Sequence, residues 1–331
     1  MEYDGARGVA ILLVFTGHLW GGVYPHDRAW LPAMSHALRG STLAGLQLFF
    51  VLSGFLITST LLRDSDGRGI NLRRFYLRRA RRLLPALVAA CVIFAAWTIG
   101  TTSGPARIDR LWELPRTLTY TWDLPIFQGH TAFLSHAWSL SVEEQFYAAW
   151  PVALIVAMRL RGRRGAAAVA LAGVAATVLL RAVAGLDAAE ADHVLRWDAL
   201  FAGCLLALCP IRLPKTAALA GWIALAALVV HPFGYVAAWV AAVVALAGSV
   251  GLGWLRQPVL VYFGRVSYGL YLWHLLVMRL GLPGPVSLVA SVVAADLSWR
   301  LVERRWLLPR QLPSPLGVHR HTGEDDRPAR P

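Results

Sequence analysis

Charged residues are scarce in this sequence. They make up 15% of its 331 residues, whereas 57% are hydrophobic, and the mean hydropathy is +0.52. A soluble globular domain carries nearer about 25% charged residues, so the composition argues against that class. The strand-length alternation of outer-membrane barrels is also lacking, and the apolar runs have the length of helices. The sequence therefore predicts an all-α polytopic bundle of transmembrane helices.

Cysteine is equally scarce. The three cysteines, Cys91, Cys204 and Cys209, all fall in apolar segments. An odd number inside helices argues against a disulfide framework, and their spacing suits no metal site, so we expect packing residues and no bound metal. A cleavable signal peptide is not evident, because no basic segment precedes the first apolar run, and we expect that run to stay as a helix. No repeat and no second, soluble domain are found.

The apolar runs and the arginines together predict a topology. An even number of spans places both termini on one side. Of the 32 Arg and Lys residues, 21 fall in loops and the tail on the terminal side and five in loops on the other side. Under the positive-inside rule both termini are cytoplasmic, and the rule explains most of the net charge of +13 without a nucleic-acid partner. Ten runs are candidate spans: 5–22, 43–62, 83–101, 138–158, 166–184, 196–211, 216–231, 234–254, 261–280 and 285–302.

Two units follow from this topology. Residues 1–310 are expected to form one domain embedded in the lipid bilayer. Residues 311–331 are Pro-rich and polar, which predicts a disordered cytoplasmic tail. Any chemistry is therefore expected within the membrane domain.

The stretch DGARGVAILLVFTGHLW carries ionisable residues inside a predicted membrane helix. Arg7 and His18 are eleven residues apart, which is just over three turns, so they lie on one face about 16 Å apart along the axis. Arg7 alone could reach lipid headgroups, and His18 alone could be a buried hydrogen-bonding residue. Ionisable groups within a membrane usually have a function, and the shared face favours a joint role.

Two further motifs each allow two interpretations. The pair Ser53-Gly54, in the middle of LQLFFVLSGFLIT, could permit close helix packing or loosen the helix so that its backbone faces a cavity. The run FYLRRARRLLP could be an interfacial helix whose arginines face lipid phosphate. It could also clamp a soluble phosphate, since arginine makes bidentate phosphate contacts. Charge alone favours the lipid interpretation.

Two later segments place polar groups in spans. In SHAWSLSVEEQFY, His136 lies at the outer rim, and Glu143 and Glu144 fall within the helix. Adjacent carboxylates cannot both face one cavity, so we expect one to face the polar interior and the other a different partner, with a structural salt bridge as the simpler alternative. In RVSYGLYLWHLLV, Tyr271 is typical of a membrane interface, whereas His274 within the span is less ordinary.

Together these motifs resemble the acyltransferase-3 family of polytopic membrane acyltransferases. They occur in the family's order and cover about residues 3–305: DGARG with His18, FFVLSGFLI, RRARRLLP, HAWSLSVEEQFY and SYGLYLWH. The resemblance implies ten transmembrane helices in a bacterial cytoplasmic membrane. It also implies transfer of an acyl group, commonly acetyl, from cytoplasmic acyl-CoA to a hydroxyl, often on a sugar at the outer face.

The resemblance carries roles over to particular residues. The family's Arg-x10-His pair falls on Arg7 and His18, and its helix-four glutamate falls on Glu143. Two positions depart from the family: Gln47 stands where Asp is common, and the run at 302–305 lacks the proline of Val-Glu-x-Pro. The family's loop arginines and Ser-Gly pair fall on Arg78, Arg79, Arg82, Ser53 and Gly54.

Chemistry and resemblance lead to one mechanistic hypothesis. His18 removes the proton of an acceptor hydroxyl that attacks the thioester, and Glu143 orients His18. Arg7 and the loop arginines hold the CoA phosphates, and Ser53 or nearby backbone amides stabilise the oxyanion. The acceptor is expected to contact histidine and aromatic side chains of the later spans: His136, Trp138, Tyr271 and His274.

Three alternatives stay open at this point. A covalent acyl-enzyme on His18 or Ser53 would replace direct transfer. The acceptor could be a glycosylated small molecule such as a macrolide rather than a cell-surface glycan. The chain could instead be a transporter, because broken helices and buried charges mark transporters too, although the lack of a repeat counts weakly against that class.

Overall fold

The structure, a computed structural model, describes residues 2–20, 38, 40–65, 69–124, 133–183, 196–231 and 234–307. These residues are mostly helical, and none of them lies in a β-strand. A 3₁₀ turn at Gly253–Arg256 and a π-helical turn at Trp299–Glu303 interrupt the helices near the end of the chain. The α-helices are α1 (Glu2–Trp20), α2 (Ser41–Arg63), α3 (Leu72–Thr101), α4 (Gly104–Leu111), α5 (Glu113–Leu118), α6 (Ala137–Val183), α7 (Trp197–Leu208), α8 (Lys215–Val230), α9 (Tyr235–Ala247), α10 (Pro258–Met278), α11 (Gly284–Ser298) and α12 (Arg304–Leu307).

Four helical segments are long and apolar enough to cross a membrane: Ser41–Arg63, Leu72–Thr101, Ala137–Val183 and Gly284–Leu307. This finding makes the chain an integral membrane protein of the all-α class. Each of the ten predicted spans has a helical counterpart, but α7, α8 and α9 have only 12, 16 and 13 residues. A spanning helix needs about 20, so the count of ten and the side of the termini stay predictions.

One predicted boundary was wrong. The third helix begins at Leu72 rather than at 83, because the side chain of Asn71 caps it by accepting a hydrogen bond from the Arg74 amide at 2.9 Å. The arginine motif is therefore part of a 30-residue helix and not a separate interfacial helix. The fourth and fifth predicted spans both lie in α6, whose helical geometry breaks at Arg161 and at Gly162, where φ is +60°. This break falls between the two predicted spans, as expected.

The segment between α3 and α6 contains two short helices, α4 and α5. Glu113 holds this segment to the residues that precede α6, because its carboxylate accepts hydrogen bonds from the amides of Phe133 at 3.1 Å and Leu134 at 2.7 Å. Burial raises the pKa of the Glu113 carboxyl, and the two amide contacts oppose that shift. The segment thus forms a cap held to the start of α6. The predicted tail, residues 311–331, lies outside the described residues.

Helix α1 packs between α2 and α10, and glycine makes this packing possible. A Cβ on Gly8 would overlap the carbonyl oxygen of Leu260, and one on Gly264 would overlap the carbonyl oxygen of Asp4. Small residues of this kind let helix backbones approach closely in membranes. Gly8 of α1 lies near Leu260 of α10, and later in both helices the ring of Phe15 packs against His274. Helices α1 and α10 therefore run parallel, side by side.

The Ser53-Gly54 pair serves close packing and does not break its helix. Helix α2 continues through both residues, and a Cβ on Gly54 would overlap the carbonyl oxygen of Leu200 in α7. Gly203 of α7 approaches the carbonyl oxygen of Val51 in the same way. Of the two interpretations of this pair, the packing one is confirmed. Gln47, earlier in α2, is fully buried, and its side-chain amide has no hydrogen-bond partner within the described part of the chain.

Candidate active site

A cavity of about 190 Å³ lies between α1, α2, α3 and α6, and we call it the arginine cavity. It brings together residues that the sequence places in four separate motifs. The four arginines predicted to bind phosphate all line it, as does Ser53. Its lining is Arg7, Ser53, Leu56, Ile57, Thr60, Phe75, Arg78, Arg79, Arg82 and Tyr147.

Two of these arginines are neutralised by carboxylates. The guanidinium of Arg79 forms two hydrogen bonds with Glu144, one of them 3.0 Å from Nε to Oε2, and lies 3.4 Å over the ring of Tyr147. Arg78 forms an ion pair with Asp64. Both arginines are thus fixed by partners of opposite charge or by an aromatic face, which fits a structural contribution.

Arg7 and Arg82 differ from them, because no carboxylate of the described residues forms an ion pair with either. The two guanidinium groups are close enough to repel each other. Glu303 and Tyr147 offset part of the charge of Arg82, but two guanidinium groups at one cavity still favour an anion that joins them. The arginine cavity is therefore suited to an anionic ligand such as a phosphate, which arginine contacts in a bidentate manner.

The two adjacent glutamates face different partners, as expected from their position on a helix. Glu144 pairs with Arg79. Glu143 is buried, accepts a hydrogen bond from the Tyr147 hydroxyl at 2.5 Å and lies beside Ser53. Tyr147 was missed by the sequence analysis, although its position four residues after Glu143 places both on one helix face.

A second group of polar side chains, which we call the histidine cluster, lies beside α1 and α10. His274 Nε2 is 3.3 Å from His18 Nδ1, and the ring centroids of His136 and His274 are 5.5 Å apart. The Tyr271 hydroxyl bonds the His136 carbonyl and lies 2.5 Å from the hydroxyl of Ser139. The cluster unites three predicted site residues with His18. Ser139, three residues after His136, was not predicted.

The hydrogen bonds of His274 determine which nitrogens carry protons. Its Nδ1 lies 3.0 Å and 2.8 Å from the carbonyl oxygens of Leu270 and Tyr271. Carbonyl oxygens only accept, so Nδ1 of His274 carries the proton and, in the neutral ring, Nε2 is the acceptor. His18 must then donate through Nδ1, which leaves Nε2 of His18 with a free lone pair.

Accessibility separates the three imidazoles. His274 is fully buried and His136 is 5% exposed, whereas His18 is partly exposed. Nδ1 of His136 is buried without a hydrogen-bond partner within the described ranges. No group of three or more His, Cys, Asp or Glu side chains among the described residues is arranged to hold a metal ion. A free lone pair on the accessible ring is the arrangement that a general base needs.

The expected contact between Glu143 and His18 was wrong. The described structure contains no hydrogen bond between them, and His274 takes the place beside the His18 ring. The reason is position along α6: Glu143 lies seven residues, or about 10 Å, beyond the level of His136. Glu143 therefore lies beside Tyr147 and Ser53, which line the arginine cavity, while His136 belongs to the histidine cluster.

Trp138 lies apart from the cluster's hydrogen bonds. The guanidinium of Arg196 lies 5.1 Å from the centre of its ring. Arg196 is 2% exposed, and the nearby Asp198 forms an ion pair with Arg181 at 3.1 Å. The structure thus places this predicted acceptor residue against Arg196, a buried charged residue at the start of α7.

Comparison with known proteins identifies relatives of the whole described domain. The acyltransferase-3 family model, described as an acyltransferase domain, matches residues 2–282. The chain is 30% identical over 360 residues to YrhL of Bacillus subtilis (strain 168), provisionally named a peptidoglycan O-acetyltransferase, covering 91% of the chain and 54% of the relative. It is 26% identical over 368 residues to the peptidoglycan O-acetyltransferase OatA of Listeria monocytogenes serovar 1/2a (strain ATCC BAA-679 / EGD-e), covering 91% and 54%.

The chain spans about half the length of the curated relatives that it matches. No solved structure matches it. The match to the family model extends over nearly all of the helices that build the arginine cavity and the histidine cluster. The chain belongs to the acyltransferase-3 family.

Proposed function

We propose that the chain transfers an acyl group, most simply acetyl, from cytoplasmic acyl-CoA to a hydroxyl of a sugar or glycan, with His18 as the general base. One observation carries the proposal. Arg7 and Arg82, which form no ion pair with a carboxylate of the described residues, line one cavity, and α1 extends from Arg7 to a histidine with a free lone pair. An anion site and a general base that lie along one helix would fit a donor molecule with a charged group at one end and a reactive group at the other.

The donor is acyl-CoA because its parts match the two sites. Its phosphates suit the arginine cavity, where Arg7 and Arg82 supply charge and Arg79 is fixed beside them. Its pantetheine arm is a long linear chain, and along α1 the base lies about 16 Å from Arg7. Binding the phosphates at one end would place the thioester near His18 at the other.

Transfer then proceeds in one displacement. Nε2 of His18 takes the proton of the acceptor hydroxyl as its oxygen bonds to the acyl carbon. The carbon–sulfur bond breaks, and the proton held by His18 passes to the departing CoA thiolate. Atoms and charge balance without a covalent enzyme intermediate. Ser53 lies by the arginine cavity and Glu143 rather than in the histidine cluster, which favours direct transfer over an acyl-serine.

His274 acts in this scheme as a positioning residue and not as a ligand of the acceptor. It accepts the Nδ1–H of His18 and is itself fixed by two carbonyl oxygens. This arrangement orients the base through a third group, as enzymes with activated nucleophiles do. His136 is the better acceptor contact, since its buried Nδ1 has no partner among the described residues.

The acceptor is assigned from the relatives. The names of those from Bacillus subtilis and Listeria monocytogenes refer to O-acetylation of peptidoglycan, which favours a glycan over a macrolide. Membership of an acyltransferase family argues against a transporter.

The test measures acetyl transfer from labelled acetyl-CoA to peptidoglycan fragments in membranes. His18→Ala is expected to lower kcat about 10²- to 10⁴-fold, the range of general base catalysis, and the exposed His231→Ala serves as its control. Arg82→Ala is expected to raise the KM for acetyl-CoA about tenfold. Arg81→Ala, exposed and outside the arginine cavity, should not. Turnover by His18→Ala at the wild-type rate would refute the proposal.

A further inference from the structure

A second, larger cavity lies beside the arginine cavity. Its volume is about 740 Å³, within the range of ligand sites. The turn that precedes α3, the first residues of α3 and one face of α6 line it. Arg78 lines both cavities, so the two are adjoining parts of one surface.

The second cavity is electropositive. Arg74, Arg78 and Arg159 line it, against a single acid, Asp64, which is already paired with Arg78. Arg74 and Arg159 form no ion pair with a carboxylate of the described residues. The lining also includes Leu72, the first residue of the 30-residue α3. The positive end of a helix adds to the attraction for an anion.

The opposite wall of this cavity is apolar. Ile70 comes from the turn before α3, and Val152 and Val156, which are 48% and 50% exposed, come from α6. A ligand that fills the cavity must therefore present both negative charge and an apolar face. A nucleotide has this combination, since its base is flat and weakly polar at its faces while its phosphates are charged.

We infer that the second cavity binds the adenosine 3′-phosphate end of the acyl-CoA donor. This inference rests on the proposed function. The pyrophosphate lies at Arg7 and Arg82, Arg78 lies between the two cavities, and the 3′-phosphate contacts Arg74 and Arg159 while the adenine packs on the valines of α6. The same phosphate chemistry exists in an anionic lipid headgroup, so the experiment has to separate the two sources.

The experiment compares three donors in vesicles of neutral lipid: acetyl-CoA, acetyl-dephospho-CoA, which lacks the 3′-phosphate, and acetyl-pantetheine, which lacks the nucleotide. The wild type is expected to prefer acetyl-CoA in kcat/KM. Arg159→Ala and Arg74→Ala should reduce the preference for acetyl-CoA over acetyl-dephospho-CoA about tenfold, the size of one charge-assisted contact. Arg73→Ala is the matched control, because Arg73 is exposed on α3 and lines neither cavity.

A binding measurement supports the kinetic one where a variant turns over poorly. Purified wild type should bind adenosine 3′,5′-bisphosphate, and Arg159→Ala should bind it about tenfold more weakly than Arg73→Ala does. Equal donor preference in Arg159→Ala and the wild type would overturn the inference alone. The same comparison is made in vesicles that contain anionic lipid. A loss of donor preference that appears only in those vesicles would also overturn the inference, since the occupant would then be a lipid headgroup. No transfer by the wild type from any of the three donors would overturn the proposed function as well.

Discussion

Replacing His274 tests whether this residue positions the base. In the wild type, Nε2 of His274 accepts the Nδ1–H of His18 at 3.3 Å between the two nitrogens, and His274→Leu removes this acceptor. A buried donor left without a partner costs about 1–3 kcal/mol. The backbone of Val14 also accepts from His18, so we expect the lower part of that range, or about a tenfold fall in kcat. The KM for acetyl-CoA should not change, because the arginine cavity lies about 16 Å away along α1.

The control is His274→Gln, whose carboxamide oxygen can occupy the place of Nε2 and accept the same proton. It should retain most of the kcat that His274→Leu loses. Steady-state kinetics in vesicles, with a thermal melt of each purified variant, provides the measurement. Equal kcat values for the two variants, or a loss confined to KM, would contradict the positioning role. Equal melting temperatures ensure that a fall in kcat is not a loss of folded protein.

Two further predictions concern the fold. Gly8→Ala places a methyl group on a carbonyl oxygen of α10 and should lower the free energy of unfolding by about 1–3 kcal/mol, whereas Gly100→Ala, with open space around it, should be neutral or stabilising in a thermal melt. The ion pair with Arg256 lowers the pKa of Glu2 to about 2 from 4.5. Its stabilisation is therefore present above about pH 4.5 and is lost as the pH falls towards 2, so the difference in melting temperature between wild type and Glu2→Gln should shrink between pH 6 and pH 3. A constant difference would contradict that assignment.

Much of the lining of the arginine cavity could be predicted because it depends on local geometry. Helical periodicity alone places Arg7 and His18 on one face. The run of arginines in α3 is dense enough that several of them reach any cavity beside that helix, and Arg78, Arg79 and Arg82 line the arginine cavity.

The contacts of the histidine cluster could not be predicted in the same way. His18 and His274 are 256 residues apart in the chain, and nothing in either segment specifies the other. Their contact depends on how far α10 is displaced along α1, which Gly8 and Gly264 determine through backbone contact. The prediction for Glu143 was wrong for the same reason, because the position of Glu143 relative to His18 depends on tertiary packing.

The predicted span boundaries were inaccurate for a different reason. A hydropathy pattern counts apolar residues, but a helix ends where its backbone is capped or bent. Helix α3 begins eleven residues early because Asn71 caps it, and α9 is confined between Gly234, where φ is +98°, and Gly248. Caps and positive φ angles depend on single residues, so an average over a window does not detect them.

Arg7 and Arg82, which form no ion pair with a carboxylate of the described residues, have a consequence for stability. Their guanidinium groups repel each other at the arginine cavity, so an anion that contacts both of them would offset this repulsion. A ligand that binds only the folded protein raises its stability. Anions that fit the arginine cavity are therefore expected to raise the melting temperature of the protein as their concentration increases.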